Sequence, residues 1–251
     1  METAPIARRV QRIRHEVLQR PVTVTAIAIA DGFATVTFSG EALADFASDG
    51  FDDHVKFVFC GDDGEPVKRD YTPRRFDRDA RTLTIEFALH GPGAASDWTR
   101  QAQIGMAATI AGPKSSMMIP TDYAWHLLVG DTAAIPAIHR RLEELPADAR
   151  VIVMIQTDDA GERRALPCAA TCSIQWLDAS EDLIAVVTAL ALPAGDGFAW
   201  CAGEASVMAR LREVLAGKGV NRGEMRVAAY WKRTEANYHA SIESGLVATA
   251  E

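Results

Sequence analysis

The chain has 251 residues, of which 48% are hydrophobic and 24% are charged. This balance is typical of a globular protein and excludes a disordered or fibrous chain. The formal net charge of −8 disfavours a general nucleic-acid binder, because binding a duplex requires a broad basic face.

The N-terminal segment "IARRVQRIRHEVL" is rich in arginine, and no apolar run follows it. It therefore resembles neither a signal peptide nor a membrane anchor. No stretch of the chain approaches the roughly 18 to 20 apolar residues that are needed to cross a bilayer. We expect a cationic surface helix here, no membrane insertion, and a cytoplasmic protein.

Short runs typical of β-strands fill the first half of the chain, and turn-forming Gly, Asp and Pro residues separate them. The runs are "VTVTAIAI" from Val22, "ATVTF" from Ala34, "VKFVF" from Val55, "LTIEFAL" from Leu83 and "AATIA" from Ala107. No helix long enough to link parallel strands lies between them. The pattern favours an antiparallel β-barrel.

The pattern changes near residues 118–123, after which strands alternate with helices. The strand "WHLLVG" ends at Gly130, and "DTAAIPAIHRRLEELP" then has apolar residues at helical spacing. Further strands are predicted from Val151, Cys172, Phe198 and Arg226, and a further helix from Glu204. We therefore expect a barrel over residues 1–120, followed by an α/β domain with a mainly parallel, Rossmann-like sheet over residues 121–251.

The cysteines do not form a metal-binding pattern. Cys168 and Cys172 lie close in sequence but lack a second close pair or a neighbouring histidine, and Cys60 and Cys201 are remote from them. Because a closed zinc site needs about four convergent ligands, we expect no resident metal.

The stretch "KRDYTPRRF" from Lys68 opposes the net charge of the chain. Six of the fourteen residues from Lys68 to Arg81 are Lys or Arg, against three Asp. An aromatic ring and a hydroxyl beside a fixed cation could stack on a ligand and hold a phosphate. Strand alternation puts Arg69 and Tyr71 on the opposite face from Thr72, unless the strand bends or ends there. The alternative is a charged edge strand with an exposed Tyr.

"RDYTPRRFD" resembles the Arg-x-Tyr-Thr-x-Arg flavin motif of the siderophore-interacting proteins, which are ferric-siderophore reductases of the ferredoxin reductase superfamily. Further similarities follow in the family's order: "HVKFVF" at His54, "LHGPGAASDW" at Leu89, "AGP" at Ala111, "LLVGDTAAIPAI" at Leu127, "AGEAS" at Ala202 and "AYWKR" at Ala229. The similarity spans about residues 8–240. It implies an FAD-binding barrel followed by a nicotinamide-binding domain, as in ferredoxin reductases.

The resemblance implies two groups of FAD contacts. The family's Arg, Tyr and Thr correspond to Arg69, Tyr71 and Thr72, with Arg74 as an additional cation. The family's phosphate-contacting segment corresponds to His90, Gly91, Gly93, Ala94, Ala95, Ser96 and Trp98. This chain has Ala94 where the family usually has Pro, although backbone N–H groups at a helix start can bind an anion without a particular side chain. The alternative is a simple turn before a helix capped by Ser96.

The resemblance also implies a nicotinamide site in the second half. "GDTAAIP" is similar to the family's dinucleotide loop, but Asp131 is followed directly by Thr132 where the family has Glu, so either Thr replaces Glu or the loop has shifted. The implied contacts are Gly130, Asp131, Thr132, Pro136, Gly203 and Glu204. The next strand ends in "TDDAGERR", whose acids suit NADH and whose arginines suit NADPH, and the resemblance slightly favours NADPH. A strand-to-helix turn without a ligand remains the alternative.

The implied reaction passes electrons from NADPH or NADH through FAD to a ferric siderophore, and no catalytic side chain is needed because the flavin carries the chemistry. Basic residues of the family's siderophore entrance correspond to Lys56, Lys232 and Arg233, although each could equally be a solvated surface charge. Two alternatives remain. One is a general flavin or ferric-chelate reductase fed by NAD(P)H or ferredoxin, and the other is a non-catalytic flavin or iron-chelate binding protein.

Overall fold

A computed structural model describes residues 9–61, 64–89 and 93–233, and the backbone of two further strands at 240–243 and 246–249. The strands are β1 (Gln11–Arg14), β2 (Gln19–Ala30), β3 (Phe33–Ser39), β4 (Val55–Cys60), β5 (Pro66–Tyr71), β6 (Arg75–Asp77), β7 (Thr82–Ala88), β8 (Ala107–Ala111), β9 (Ser115–Met118), β10 (Trp125–Asp131), β11 (Arg150–Thr157), β12 (Thr171–Asp178), β13 (Gly197–Glu204), β14 (Met225–Trp231), β15 (Ala240–Glu243) and β16 (Leu246–Thr249). The helices are α1 (Ala94–Gln101), α2 (Ile135–Glu144), α3 (Leu183–Ala189) and α4 (Ala205–Gly217).

The first half forms a barrel-like antiparallel sheet of seven strands, in the order β5-β4-β8-β2-β3-β7-β6. Its core comes from alternate positions along each strand, such as Val36 and Phe38 on β3. The ring of Phe57 on β4 lies 5.1 Å from that of Phe87 and 4.9 Å from that of Trp98 on α1. The predicted antiparallel barrel is therefore confirmed, with α1 packed against its core through Trp98.

The second half forms a sheet in the order β12-β11-β10-β13-β14-β15-β16, in which the first five strands are parallel. β13 is buried over its whole length, as expected for a central strand covered on both faces. α2 packs on one face through Ile135 and Ile138. α3 and α4 pack on the other face, for example through Val187 and Leu211. The predicted Rossmann-like, doubly wound arrangement is confirmed.

The N-terminal segment differs from the prediction. Gln11–Arg14 is strand β1, which pairs antiparallel with β9 in a separate two-stranded sheet, so the predicted surface helix is wrong. Pairing with a distant strand outweighs the weak helical preference of a short, exposed segment. β9 ends at Met118 and the parallel sheet begins at Trp125. A domain boundary after residue 120 stays a prediction.

The two halves are joined by ion pairs that cross their junction. Arg74 Nη1 and Nη2 lie 2.7 and 2.9 Å from the Oε2 and Oε1 atoms of Glu143 on α2, and Arg75 Nη2 lies 2.6 Å from Oε1. The hydrogen bond from Arg74 is the largest cause that lowers the pKa of Glu143, to about 2, and Arg75 adds to it. This paired geometry holds α2 against the end of the barrel.

Candidate cofactor and substrate site

A cavity of about 580 Å³ opens at the junction of the two halves, and residues of both halves line it. The barrel contributes Phe33, His54, Ser96 and residues 69–72. The carboxyl ends of the parallel strands contribute residues 131–133 and 230–233, among others. This is the edge of an open α/β sheet at which ligands characteristically bind.

The "RDYT" segment reaches the cavity because its strand stops. β5 ends at Tyr71 and β6 begins at Arg75, so Thr72 and Pro73 lie in the turn between two edge strands of the barrel. Arg140 on α2 supports this turn by donating from Nη1 to the Pro73 carbonyl, at 3.0 Å. Because Thr72 lies beyond the end of β5, strand alternation does not turn it to the opposite face. Arg69, Tyr71 and Thr72 therefore line the same cavity.

The Tyr71 ring forms part of the cavity wall, and its own hydroxyl is uncharged. Its ring centroid lies 4.4 Å from that of Phe87 and 6.0 Å from that of Phe57. Burial raises the pKa of the Tyr71 phenol well above its ordinary value. The Arg69 Nη1 atom donates to the Lys68 carbonyl at 2.8 Å, which orients the guanidinium along the end of the strand.

The Arg74 side chain lies outside the cavity, at the junction between the two halves. Its side chain is 3% exposed and does not line the cavity; both terminal nitrogens bind Glu143, and Nε lies 3.7 Å from Glu86. The motif's second arginine therefore belongs to the junction between the halves, and its contact with FAD is not supported by this geometry.

The segment that begins α1 is divided between the cavity and the core. Ser96 lines the cavity, and its hydroxyl donates to the Ala88 carbonyl at 3.3 Å. Ala95 and Trp98 lie in the barrel core, because residues on opposite faces of a helix meet different surroundings. Gly93 and Ala94 are not on the cavity wall. The predicted contacts His90 and Gly91 lie outside the described residues.

The "GDT" loop follows β10, and its glycine is explained by internal packing. A Cβ placed on Gly130 would lie 2.3 Å from the Ala134 Cβ and 2.8 Å from the Ala202 carbonyl oxygen. Likewise, a Cβ on Gly203 would lie 2.5 Å from the Asp131 Oδ2 atom. Neither glycine lines the cavity. Their small size is required by the protein itself, whatever binds nearby.

Asp131 links the ends of three parallel strands. Its Oδ1 atom accepts from the Ala133 N–H at 3.0 Å. Its Oδ2 atom accepts from the Glu204 N–H at 3.0 Å and from the Trp231 indole at 2.7 Å. This carboxylate thus holds the start of the turn before α2, the end of β13 and the Trp231 ring together on one wall of the cavity.

Thr132, Pro136 and Glu204, three of the predicted dinucleotide contacts, also line the cavity. The Thr132 hydroxyl donates to the buried carboxylate of Glu162. Glu204 caps α4 by accepting from the Ser206 N–H at 2.8 Å. Burial raises the pKa of Glu204, but hydrogen bonds from Ser206 and Val207 outweigh that effect and lower it.

The end of β11 carries the residues that bear on the choice between NADH and NADPH. Arg163 pairs with Asp178, and Arg164 pairs with the buried carboxylate of Glu86 across the junction. Asp158 lines the cavity, whereas neither arginine does. Both arginines therefore have structural partners, whereas two acids of this segment, Asp158 and Glu162, line the ligand space.

Two of the three predicted substrate cations line the cavity. Lys232 and Arg233 lie on its wall, immediately after β14. Lys56 does not line it; its Nζ atom lies 2.8 Å from the Oδ2 atom of Asp70, which does. The cationic part of the cavity thus comes from Arg69 on the barrel side and from residues 232–233 on the other.

Comparison with similar proteins shows to which family the chain belongs. Residues 123–234 match the siderophore-interacting protein model, and residues 60–117 match the siderophore-interacting FAD-binding domain model. The NADPH-dependent ferric-chelate reductase of Escherichia coli is 34% identical over 244 residues, covering 88% of this chain and 96% of the relative. The chain belongs to the siderophore-interacting protein family.

Other members of the family agree over nearly the whole chain. Ferric vibriobactin reductase ViuB of Vibrio cholerae is 29% identical over 242 residues, covering 84% of this chain and 89% of the relative. A siderophore utilization protein from T. fusca superposes with a TM-score of 0.85 at 31% identity, covering 91% of this chain and 98% of that structure. The resemblance of the sequence to this family is therefore confirmed.

The fold extends beyond the family. A ferredoxin reductase of carbazole 1,9a-dioxygenase superposes with a TM-score of 0.63 at 16% identity, covering 83% of this chain and 68% of that structure. This likeness confirms the predicted ferredoxin-reductase-like fold.

Among the described residues, no helix is long and apolar enough to cross a membrane. Within the same residues, no group of three or more His, Cys, Asp or Glu side chains could hold a metal ion.

The residues of the barrel wall fit the FAD that the family model implies. Tyr71 offers a ring face, Thr72 a hydroxyl and Arg69 a fixed cation. Among the described residues, no side chain caps the first N–H groups of α1, and these groups are suitable donors to a phosphate. A Cβ on Gly93 would meet no atom of the described residues within 4 Å, apart from its chain neighbours.

Sequence reasoning missed several residues of the cavity wall. His54 lines it beside Asp70, and burial lowers the pKa of His54 below its ordinary value, although Asp70 and Asp52 act in the opposite direction. Phe33 and Glu162 also line it. His54 begins "HVKFVF", one of the family-like segments, so it could have been found. Glu162 belongs to no such segment.

Proposed function

We propose that the protein is an FAD-dependent reductase of ferric siderophores, which takes electrons from NADPH or NADH and releases Fe(II). The observation that carries the proposal is one cavity with two different walls. The barrel wall suits a flavin, and the wall made by the ends of the parallel strands suits a second nucleotide. The names of the curated relatives, a ferric-chelate reductase and a ferric vibriobactin reductase, support the same reaction.

Each wall has a distinct task in this proposal. Bound FAD supplies the redox chemistry, because a flavin can accept two electrons together and pass them on singly. Tyr71 and Thr72 orient the flavin, and Arg69 and the start of α1 hold its phosphates. Asp158 is placed to bind a ribose hydroxyl of the nicotinamide dinucleotide. No side chain is required as an acid, base or nucleophile.

The substrate is the ferric chelate itself. Siderophores hold Fe(III) through hard oxygen ligands, and reduction to Fe(II) lowers the charge density on which that binding depends. Many such chelates are anionic, so a cationic mouth raises both their encounter rate and their residence. Lys232 and Arg233 carry this role on the cavity wall, and Lys56 acts from beside it through Asp70. Because reduced nicotinamides are cytoplasmic, we propose the cytoplasm as the site of action.

Anaerobic stopped-flow spectroscopy tests the proposal. The purified protein should absorb near 450 nm, bleach with NADPH or NADH, and recolour when a ferric siderophore is added. A protein that takes up no FAD overturns the proposal. A flavin that neither nucleotide bleaches, but that reduced ferredoxin does, reassigns the donor. Bleaching without recolouring by any ferric chelate leaves a general flavin reductase.

The cationic mouth has its own test. Replacing both Lys232 and Arg233 with Ala should raise the Michaelis constant for an anionic ferric siderophore by about fivefold per removed charge, and added salt should weaken the effect. The rate of flavin reduction should not change. Arg210→Ala, which removes an exposed cation of α4 away from the cavity, is the matched control. Slower flavin reduction with an unaltered Michaelis constant would assign these cations to the cofactors.

A further inference from the structure

Asp53 is a buried carboxylate at which hydrogen bonds from its own loop and from strand β9 converge. It lies in the loop between β3 and β4, and only 2% of the residue is exposed. Its Oδ2 atom accepts from the Ser48 hydroxyl at 2.9 Å, from the Gly50 N–H at 3.2 Å and from the Ser116 hydroxyl at 2.5 Å. Because all three donors reach one oxygen, the charge of an ionised Asp53 strengthens each of these bonds.

On the Ser48 side, the hydrogen bonds continue to helix α2 of the other half. Arg140 Nη1 donates to the Ser48 hydroxyl oxygen at 2.8 Å, and Nη2 donates to the Ser48 carbonyl at 2.7 Å. The same Nη1 atom donates at 3.0 Å to the carbonyl of Pro73, which follows Thr72 in the turn between β5 and β6. A continuous series of hydrogen bonds therefore links the Asp53 carboxylate to the turn that brings Thr72 to the cavity wall.

The charge of Asp53 sets the direction of these bonds. An ionised carboxylate accepts hydrogen bonds and donates none, so both serine hydroxyls direct their single proton at it. The Ser48 oxygen then presents only lone pairs to Arg140, whose guanidinium can only donate. A protonated Asp53 carries a proton of its own and binds the hydroxyls less strongly, so it no longer fixes the orientation of Ser48.

The charge of Asp53 is held at a cost to the stability of the fold. Burial is the largest influence on this carboxyl and raises its pKa from 3.8 to about 6, although its hydrogen bonds and the charge of Arg140 act in the opposite direction. Because the folded-state pKa lies above the ordinary value, ionisation of Asp53 destabilises the folded state as the pH rises through about 6. The carboxylate is nevertheless charged at neutral pH, which points to a role beyond stabilising the fold.

The charged and titratable groups that contact this cluster come from three elements. Arg140 faces it from α2, where its Nε atom donates to the Glu144 Oε1 atom at 3.0 Å. From the segment after β1, His15 Nε2 lies 2.7 Å from the Ser116 hydroxyl oxygen. In the loop, the Asp49 Oδ2 atom lies 3.9 Å from the same imidazole nitrogen. Histidine commonly titrates near neutral pH, so His15 is the group that an experiment must separate from the buried carboxylate.

We propose that Asp53 and Ser48 are positioning residues for FAD, which act through Arg140. The carboxylate orients Ser48, Ser48 holds Arg140, and the guanidinium holds the turn after β5 in place as part of the barrel wall. None of these three residues lines the cavity. The inference rests on the proposed function, because that function places FAD against this wall. It follows that the protein binds FAD more tightly when Asp53 is ionised than when it is protonated.

The dissociation constant of FAD, measured at several pH values from the flavin fluorescence of the diluted holoprotein, tests the proposal. In the wild type it should rise about two- to tenfold as the pH falls through about 6, because protonation of Asp53 removes the form that orients Ser48. Asp53→Asn keeps the shape and one acceptor but has no charge. It should bind FAD at about pH 8 as weakly as the wild type does at about pH 5, without a step between them.

Ser48→Ala interrupts the series of bonds between the carboxylate and Arg140. It should weaken FAD binding by a similar factor and remove the pH step, although Asp53 can still titrate. Adding Asp53→Asn to Ser48→Ala should have no further effect. Ser116→Ala is the matched control, because it removes a hydroxyl from the same carboxylate oxygen but has no bond to α2. It should lower the free energy of unfolding and leave both the FAD affinity and the pH step unchanged.

Three results would overturn the inference while leaving the proposed function intact. The first is FAD binding by the wild type that does not change with pH, a measurement that needs no substitution. The second is a pH step that persists in Asp53→Asn, and its loss in His15→Gln would then assign the titration to His15. The third is equal weakening of FAD binding in Ser48→Ala and Ser116→Ala, which would leave the cluster with a structural role only. A wild-type protein that takes up no FAD overturns both the inference and the proposed function.

Discussion

Replacing Glu143 with Gln should weaken the junction between the two halves in a pH-dependent way. The Glu143 carboxylate receives both terminal nitrogens of Arg74 and one of Arg75. Arg74 is almost fully buried, so the loss of its partner leaves a buried charge less well compensated. Gln keeps the shape and one acceptor but loses the charge.

The structure sets the size of the effect. Three charge-assisted hydrogen bonds would each contribute about 1.5–3 kcal/mol if fully buried. The Glu143 side chain is 33% exposed, which screens its charge, and Glu86 remains 3.7 Å from Arg74. Because these factors reduce the loss, we expect a decrease in the free energy of unfolding of about 1–3 kcal/mol at neutral pH.

The sign of the pH dependence follows from the lowered pKa. Pairing with Arg74 depresses the pKa of Glu143 from 4.5 to about 2. The stabilisation by this carboxylate is fully present above pH 4.5 and is lost as the pH falls towards 2. The difference between wild type and Glu143→Gln should therefore shrink between pH 5 and pH 2.

Urea unfolding followed by tryptophan fluorescence at several pH values measures this difference. Glu144→Gln is the control, because Glu144 is the next residue of the same helix and its Oε1 atom lies 3.0 Å from Arg140 within that helix. We expect a loss below about 1 kcal/mol there. An equal loss in both variants, or a Glu143→Gln loss that is the same at pH 7 and pH 3, would refute the reasoning.

Three further predictions concern the cavity. Arg69→Ala should weaken FAD binding ten- to a hundredfold, as expected for a lost charge-assisted hydrogen bond; an unchanged dissociation constant would contradict the phosphate role. Gly130→Ala should lower the free energy of unfolding by about 1–3 kcal/mol, because its Cβ would lie 2.3 Å from that of Ala134; equal stability in urea would contradict this packing. Asp131→Ala should change the fluorescence of Trp231, whose indole donates to Asp131. The change should be absent when Trp231 is Phe.

The sequence predicted the architecture because its signals are local. Alternation on strands such as β3 specifies a half-buried sheet, and helical spacing on α2 specifies a face that packs on a sheet. The N-terminal segment was predicted wrongly as a helix, because its pairing with β9 depends on residues about a hundred positions away. A local sequence pattern in a short, exposed segment does not indicate a pairing partner so far away in the chain.

The candidate site was predictable as a set of segments but not residue by residue. Family-like segments located Tyr71, Thr72 and Ser96 on the cavity wall. The same segments also contain Arg74 and Trp98, which point to the junction and to the barrel core. Neighbouring residues in a motif face different surroundings, and the motif does not say which faces the ligand.

The bond between Asp52 and Tyr230 was beyond sequence reasoning for a different reason. The Tyr230 hydroxyl donates to the Asp52 Oδ1 atom at 3.1 Å across 178 positions of sequence; Tyr230 lies in the family-like segment "AYWKR", but no pattern marks Asp52. Their meeting follows from how two separately predicted halves dock. How the two halves pack depends on the shapes of their folded surfaces, and these shapes can be compared only in the three-dimensional structure.

Because residues of both halves line the cavity, a ligand that bridges its two walls also affects how long the protein lasts. A ligand that contacts both halves binds the protein only when the halves are packed together. By mass action it therefore shifts the equilibrium away from the state in which the halves are separated. At a free concentration one hundred times its dissociation constant, such a ligand adds about 2.7 kcal/mol of apparent stability. Proteases act on opened chains. A cell short of such a bridging ligand would therefore lose this protein by degradation, in addition to leaving its site empty.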